Sequence, residues 1–79
     1  MDIKKNLQQA IIHHQADEPL PAEQLYRAIL TEEPKHPDAN HNLGLLMMQQ
    51  DQTDDALALF TNALNANPNA IQFWVSYID

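Results

Sequence analysis

Apolar side chains return along this chain at intervals of three and four residues. Ile3, Leu7, Ala10 and Ile11 make one stripe, and Ala22, Leu25, Tyr26, Ile29 and Leu30 a second. Ala39, Leu43, Leu46 and Met47 make a third, and Ala56, Leu57, Phe60, Ala63 and Leu64 a fourth. Ile71, Trp74, Val75 and Ile78 open a fifth. At 3.6 residues per turn each set falls on one helix face, so every stripe is a surface that must be buried. The five prolines, at 19, 21, 34, 37 and 68, fall between the stripes rather than inside them. The pattern predicts helices over residues 3–15, 21–32, 37–50, 54–66 and 70–79, and no alternating run supports a strand.

The predicted ends have chemical reasons. Pro37 and Pro68 can occupy a first helical turn, where the missing N–H has no intrahelical partner to lose. Thr53 is the expected cap of the fourth helix, with Asp54 and Asp55 in a first turn whose dipole favours anions. Asp17 and Glu18 stand in the same relation to Pro19-Leu20-Pro21.

The stripes are copies of one another. Ala22 and Ala56, Tyr26 and Phe60, Leu30 and Leu64, and Pro34 and Pro68 are each 34 positions apart, and the small residues Ala10 and Gly44 share that offset. A period between about 20 and 50 residues is the mark of a solenoid, in which each helix pair buries its apolar face on the next. Closely crossing helices leave room only for small side chains, which explains Ala10, Gly44, Ala22, Ala56 and Ala63. Tyr26 and Phe60 fill the space one turn further on.

These residues resemble the tetratricopeptide repeat. In residues 37–70 the match runs through Leu43-Gly44, Met47, Ala56, Phe60, Ala63 and Pro68. Asn40 stands where the family often has Trp, a place Trp74 fills one repeat later. Residues 3–36 match through Ala10, Ala22, Tyr26 and Pro34. Asn42-Leu43-Gly44, Gln49-Gln50-Asp51 and Asp55-Ala56-Leu57 are similar to repeats of bacterial multi-repeat proteins and to the repeat region of O-linked N-acetylglucosamine transferases. The resemblance implies an all-α, right-handed helix-turn-helix solenoid spanning residues 1–79 as a single domain. Repeat 1 covers 3–36, repeat 2 covers 37–70, and 71–79 is the first helix of a third.

It also implies a concave groove lined by the first helix of each pair. Leu7, Gln8, Ile11 and His14 would line it, followed by His41, Asn42, Leu45 and Met48, then Gln72, Val75, Ser76 and Asp79. A mixed apolar and amide surface suits an extended peptide or a helix. Asn42 is the central member, because a primary amide donates to and accepts from a peptide backbone at once.

Charge narrows the partners. Eleven acids against four Lys and Arg give a net charge of −7, and residues 36–79 contain no Lys or Arg. Nucleic acid and anionic membrane are therefore poor partners, and so is a peptide ending in clustered carboxylates. No apolar run approaches the ~20 residues of a membrane span, no signal-like stretch opens the chain, and there is no cysteine; a cytoplasmic location is expected.

Catalysis, metals and cofactors find no support. The only serine is Ser76, one glycine excludes a phosphate-cradling loop, and the paired acids Glu32-Glu33 and Asp54-Asp55 read as solvated helix ends. Adjacent His13 and His14 face different directions, and His36 and His41 are five apart across Pro37, so neither pair has the i, i+4 spacing of a helical zinc site. His13 is expected at the helix interface, in the place Met47 takes one repeat later.

The expected function is a non-catalytic scaffold that binds a protein or peptide in the groove. An alternative is self-association, giving a homo-oligomer, through Ile71, Phe73, Trp74, Tyr77 and Ile78, which with Val75 put apolar residues around almost the whole last helix where a terminal repeat carries polar ones. Two and a quarter repeats also fall short of the roughly three needed for stability, so the chain is expected to continue past Asp79. A further alternative is the N-terminal recruiting region of a larger enzyme such as a glycosyltransferase.

Overall fold

Asp2 starts the first helix by accepting the backbone N–H of Lys5 on its carboxylate at 3.0 Å, replacing a partner that the first turn cannot supply from within. From there a computed structural model describes residues 2–66 as four helices: α1 (Ile3–Gln15), α2 (Pro19–Glu32), α3 (Pro37–Gln49) and α4 (Thr53–Ala66). Each packs on its neighbour in the chain, α1 on α2, α2 on α3 and α3 on α4, with α1 also meeting α3. This is the all-α, hairpin-repeat solenoid that the periodicity predicts. The expected fifth helix lies outside the described residues.

The two hairpin turns are built alike. Asp17 donates its N–H to the His14 carbonyl and Glu18 donates to His13; 34 positions later Asp51 donates to Met48 and Gln52 to Met47. Asp17 and Asp51 both take left-handed backbone, at φ 61° and 60°. This is the motif that closes a helix by satisfying its last carbonyls, and Asp tolerates the conformation better than most side chains other than glycine.

Helix starts depart from the sequence reading in three places. α2 begins at Pro19, two residues early, because both prolines fit a first turn whose amides need no partner. Glu18 makes no capping bond; its carboxylate is instead 2.8 Å from His13 Nδ1. Thr53 is the first residue of α4 rather than its cap, and the Gln52 carbonyl accepts from Ala56 at 3.0 Å. At α3 an imidazole does the work usually done by Ser or Asp: His36 Nδ1 accepts from the Ala39 N–H at 3.1 Å.

One cluster joins all four helices: Ala10 from α1, Ala22 and Tyr26 from α2, Leu43, Leu46 and Met47 from α3, Ala56 and Phe60 from α4. Gly44 sets the α3–α4 distance. A β-carbon there would lie 2.7 Å from Phe60 Cε1 and 2.8 Å from Cδ1, closer than carbon atoms pack. Asn40 is buried beside this core and donates from Nδ2 to the carbonyls of Pro34 at 3.1 Å and His36 at 2.9 Å. The residue in the family's Trp position thus ties α3 to the loop before it, satisfying two carbonyls with one amide. Leu57, part of the fourth stripe, is 42 % exposed and lies off the core.

Candidate functional site

Residues four apart on a helix share a face, so Ile11 and Gln15 of α1 stand on the same side as His14. In α3, Leu45 and Gln49 repeat Ile11 and Gln15 34 positions on, and Asn42 stands one turn before Leu45 on the same face. Between the two helices is an open cleft, lined by Ile11, His14, Gln15, Tyr26, Asn42, Leu45 and Gln49. Of the eight predicted groove residues that fall among the described ones, four, Ile11, His14, Asn42 and Leu45, meet around it.

The other four are placed differently. Leu7 packs against the core cluster, Gln8 is exposed on α1, and Met48 is exposed on α3, none of them lining the cleft. His41 is only 9 % exposed and its ring lies tilted on Phe60 with centroids 5.8 Å apart. It faces α4 rather than open groove, so burial lowers its pKa below the ordinary histidine value while the nearby Asp38 carboxylate opposes part of that shift.

His14 is the organising side chain. Its Nε2 lies 2.9 Å from Gln49 Oε1, a bond that crosses from α1 to α3. With Nε2 donating there, Nδ1 accepts from the Tyr26 hydroxyl at 3.3 Å, and the two rings meet edge to face with centroids 6.1 Å apart. Tyr26 is fully buried, which pushes its phenol up to about 12. The hydroxyl is therefore a neutral donor throughout the physiological range.

The floor of the cleft is thus a fixed hydrogen-bonded chain from Tyr26 through His14 to Gln49, flanked by the apolar Ile11 and Leu45. The Asn42 carboxamide, by contrast, makes no hydrogen bond within the described residues. Such a surface offers amide donors and acceptors between apolar side chains, and none of its lining residues is a Lys or Arg. Sequence reasoning missed Gln15, Tyr26 and Gln49. The signal available was the repeat itself, since Gln15 and Gln49 are related by the same 34-residue offset.

His13 does not pack between helices. It is half-exposed and pairs with Glu18, because no described helix lies over the α1 face that corresponds to the buried position of Met47. The predicted self-association residues, Ile71, Phe73, Trp74, Tyr77 and Ile78, lie outside the described residues, as do Gln72, Val75, Ser76 and Asp79 of the groove. No helix among the described residues is long and apolar enough to cross a membrane.

A model of the tetratricopeptide repeat family matches residues 13–75, most of the chain, with part of the first hairpin and all of the second. No curated protein matches it.

Proposed function

The chain belongs to the tetratricopeptide-repeat family, and from that premise we propose that it is a non-catalytic scaffold that binds an extended peptide between α1 and α3. Repeats of this family mediate protein–protein interaction and scaffolding. The observation that carries the groove assignment is the Asn42 carboxamide, free of partners among the described residues and bordering the cleft beside Ile11 and Leu45. A peptide backbone presents an N–H and a C=O at each residue, which one carboxamide satisfies together, while alternate side chains meet the apolar walls.

The test is fluorescence anisotropy of labelled degenerate peptides with the 79-residue chain and its Asn42→Ala variant. Loss of one backbone-directed bond pair should weaken binding about fivefold, on the order of 1 kcal/mol, with the far-ultraviolet circular dichroism unchanged. Equal binding by both proteins removes Asn42 from the site, and no binding by either removes the groove reading altogether.

A second reading is favoured by the residue pattern at the end of the chain, where Ile71, Phe73, Trp74, Tyr77 and Ile78 follow one another within eight positions. A stretch of sequence so rich in large apolar residues supports self-association. Light scattering across a concentration series is expected to give a mass above 9.0 kDa that Trp74→Ala lowers. A parent that stays monomeric at high concentration rules this out.

A further inference from the structure

The His14–Gln49 bond is a wall between two spaces. On one side is the groove cleft; on the other is a smaller open cleft, lined by His14, Asp17, Pro19, Leu46, Gln49 and Gln50. Its walls differ in kind. Pro19 and Leu46 are its apolar residues, while Asp17, Gln49 and Gln50 border it as residues bearing a carboxylate and two carboxamides. No Lys or Arg lines it.

Asp17 is the one formal charge of this cleft and is held by the turn rather than by a loose loop. Its backbone is fixed in the left-handed region at φ 61°, with its own N–H on the His14 carbonyl at 3.2 Å and the next on His13 at 2.9 Å. Neighbouring acids are occupied, Glu18 by His13 and Glu23 by Arg27 at 2.8 Å. Asp17 has no ion-pair partner among the described residues. Residues 36–79 have no Lys or Arg, and the chain carries −7. A cationic partner is drawn to such a surface, and an anionic one is repelled.

We propose that this cleft is a specificity subsite for an arginine or lysine side chain of a basic, extended peptide lying in the groove. The inference rests on the groove reading above and adds to it the chemical class of the partner. The aliphatic stem of the guest lies along Pro19, and its charged head reaches the Asp17 carboxylate and the carboxamide oxygens beside it. Arginine is preferred over lysine, because its planar group offers five donors in a fixed fork to several acceptors at once.

Labelled degenerate peptide pools holding Arg, norleucine or Glu at one fixed position provide the probe, read by fluorescence anisotropy against the 79-residue chain. The expected order is Arg over norleucine by about fivefold, the size of a well-placed but solvent-accessible ion pair, with Glu weakest. Asp17→Asn keeps a residue that tolerates left-handed backbone and should bring the Arg and norleucine pools to equal affinity. Asp55→Asn removes the same charge from the first turn of α4, outside the cleft, and should leave the Arg preference in place. Asn42→Ala should weaken all pools alike. An Arg preference that survives Asp17→Asn, or that Asp55→Asn lowers equally, is attraction to net charge and overturns the subsite. Pools that bind equally well to the parent chain overturn it while leaving the groove standing, whereas failure of every pool overturns the groove reading and the subsite with it.

Discussion

The two hairpins have the same register and different surroundings, and the difference lies on one face of their first helices. In α3, Ala39, Leu43, Leu46 and Met47 are all buried, and Leu46 retains 2 % of its surface. The residues 34 positions earlier in α1 are Lys5, Gln9, Ile12 and His13; the first two are exposed, His13 is half-exposed, and Ile12 is 62 % exposed. The face of α3 is covered by α2, and no described helix covers that of α1. A repeat position therefore has no burial of its own. What decides whether an aliphatic residue there stabilises the fold is the helix beside it, because the hydrophobic contribution scales with area removed from water.

The largest test of that contrast is truncation at the paired positions. Leu46→Ala should cost about 2–5 kcal/mol, comparable with the whole stability of about 3–5 kcal/mol expected of so small a core, so the variant should be largely unfolded by circular dichroism at 25 °C. Ile12→Ala should shift stability by less than about 0.5 kcal/mol, as exposed sites do. Equal losses in urea titrations would mean that the α1 face is covered in solution.

The second contrast concerns the closest helix crossings. Repeat 1 has Ala10 where repeat 2 has Gly44, and Gly44 lies against the Phe60 ring with no room for a β-carbon. Ala in place of glycine ordinarily strengthens a helix by about 1 kcal/mol, but overpacking a filled core costs about 1–3 kcal/mol. Gly44→Ala should therefore lower stability by about 1 kcal/mol on balance. Ala10→Gly should also lower it, by about 0.5–1 kcal/mol through helix propensity. A Gly44→Ala variant with a raised urea midpoint would show that Phe60 yields.

Tyr26 and Phe60, the aromatic pair of the repeat, differ by one hydroxyl, and pH separates them. With its phenol raised to about 12 by burial, Tyr26 contributes stability that is complete below pH ~10 and is lost as pH rises from there toward 12. Tyr26→Phe should lose about 0.5–1.5 kcal/mol at neutral pH with the His14 bond, and should lack this alkaline decline. Denaturation midpoints measured from neutral to strongly alkaline pH in both proteins decide it.

The smallest expected effect is at His41, whose counterpart in repeat 1 is Leu7. Burial lowers the His41 pKa, so the unfolded chain takes up a proton first. Its contribution to stability is present above pH ~6.5 and falls away as the pH drops below that value. Asp38→Asn removes the opposing charge and should move the NMR titration of His41 further down. An upward movement would contradict the electrostatic account.

The helix pattern was legible because amphipathic periodicity and the 34-residue offset are local properties, written in residue type alone. All four described helices follow from them, and so do most of the core and four of the cleft residues, Ile11, His14, Asn42 and Leu45. Their errors were also systematic. His41 and His13 read alike as interface or groove imidazoles, but one is buried against Phe60 and the other pairs with Glu18, because exposure depends on which helix lies opposite. The Tyr26–His14–Gln49 chain spans three helices and residues up to 35 positions apart, so no local pattern contains it.

By itself, then, the sequence determined an all-helical repeat, its period, its small-residue crossings and its acidic character, since each follows from the spacing or count of side chains. The tertiary structure alone decided which equivalent positions are covered, and which carboxamides and carboxylates beside the clefts have partners among the described residues. Those outcomes depend on distances between helices, and packing sets such distances only after every helix has found its neighbour.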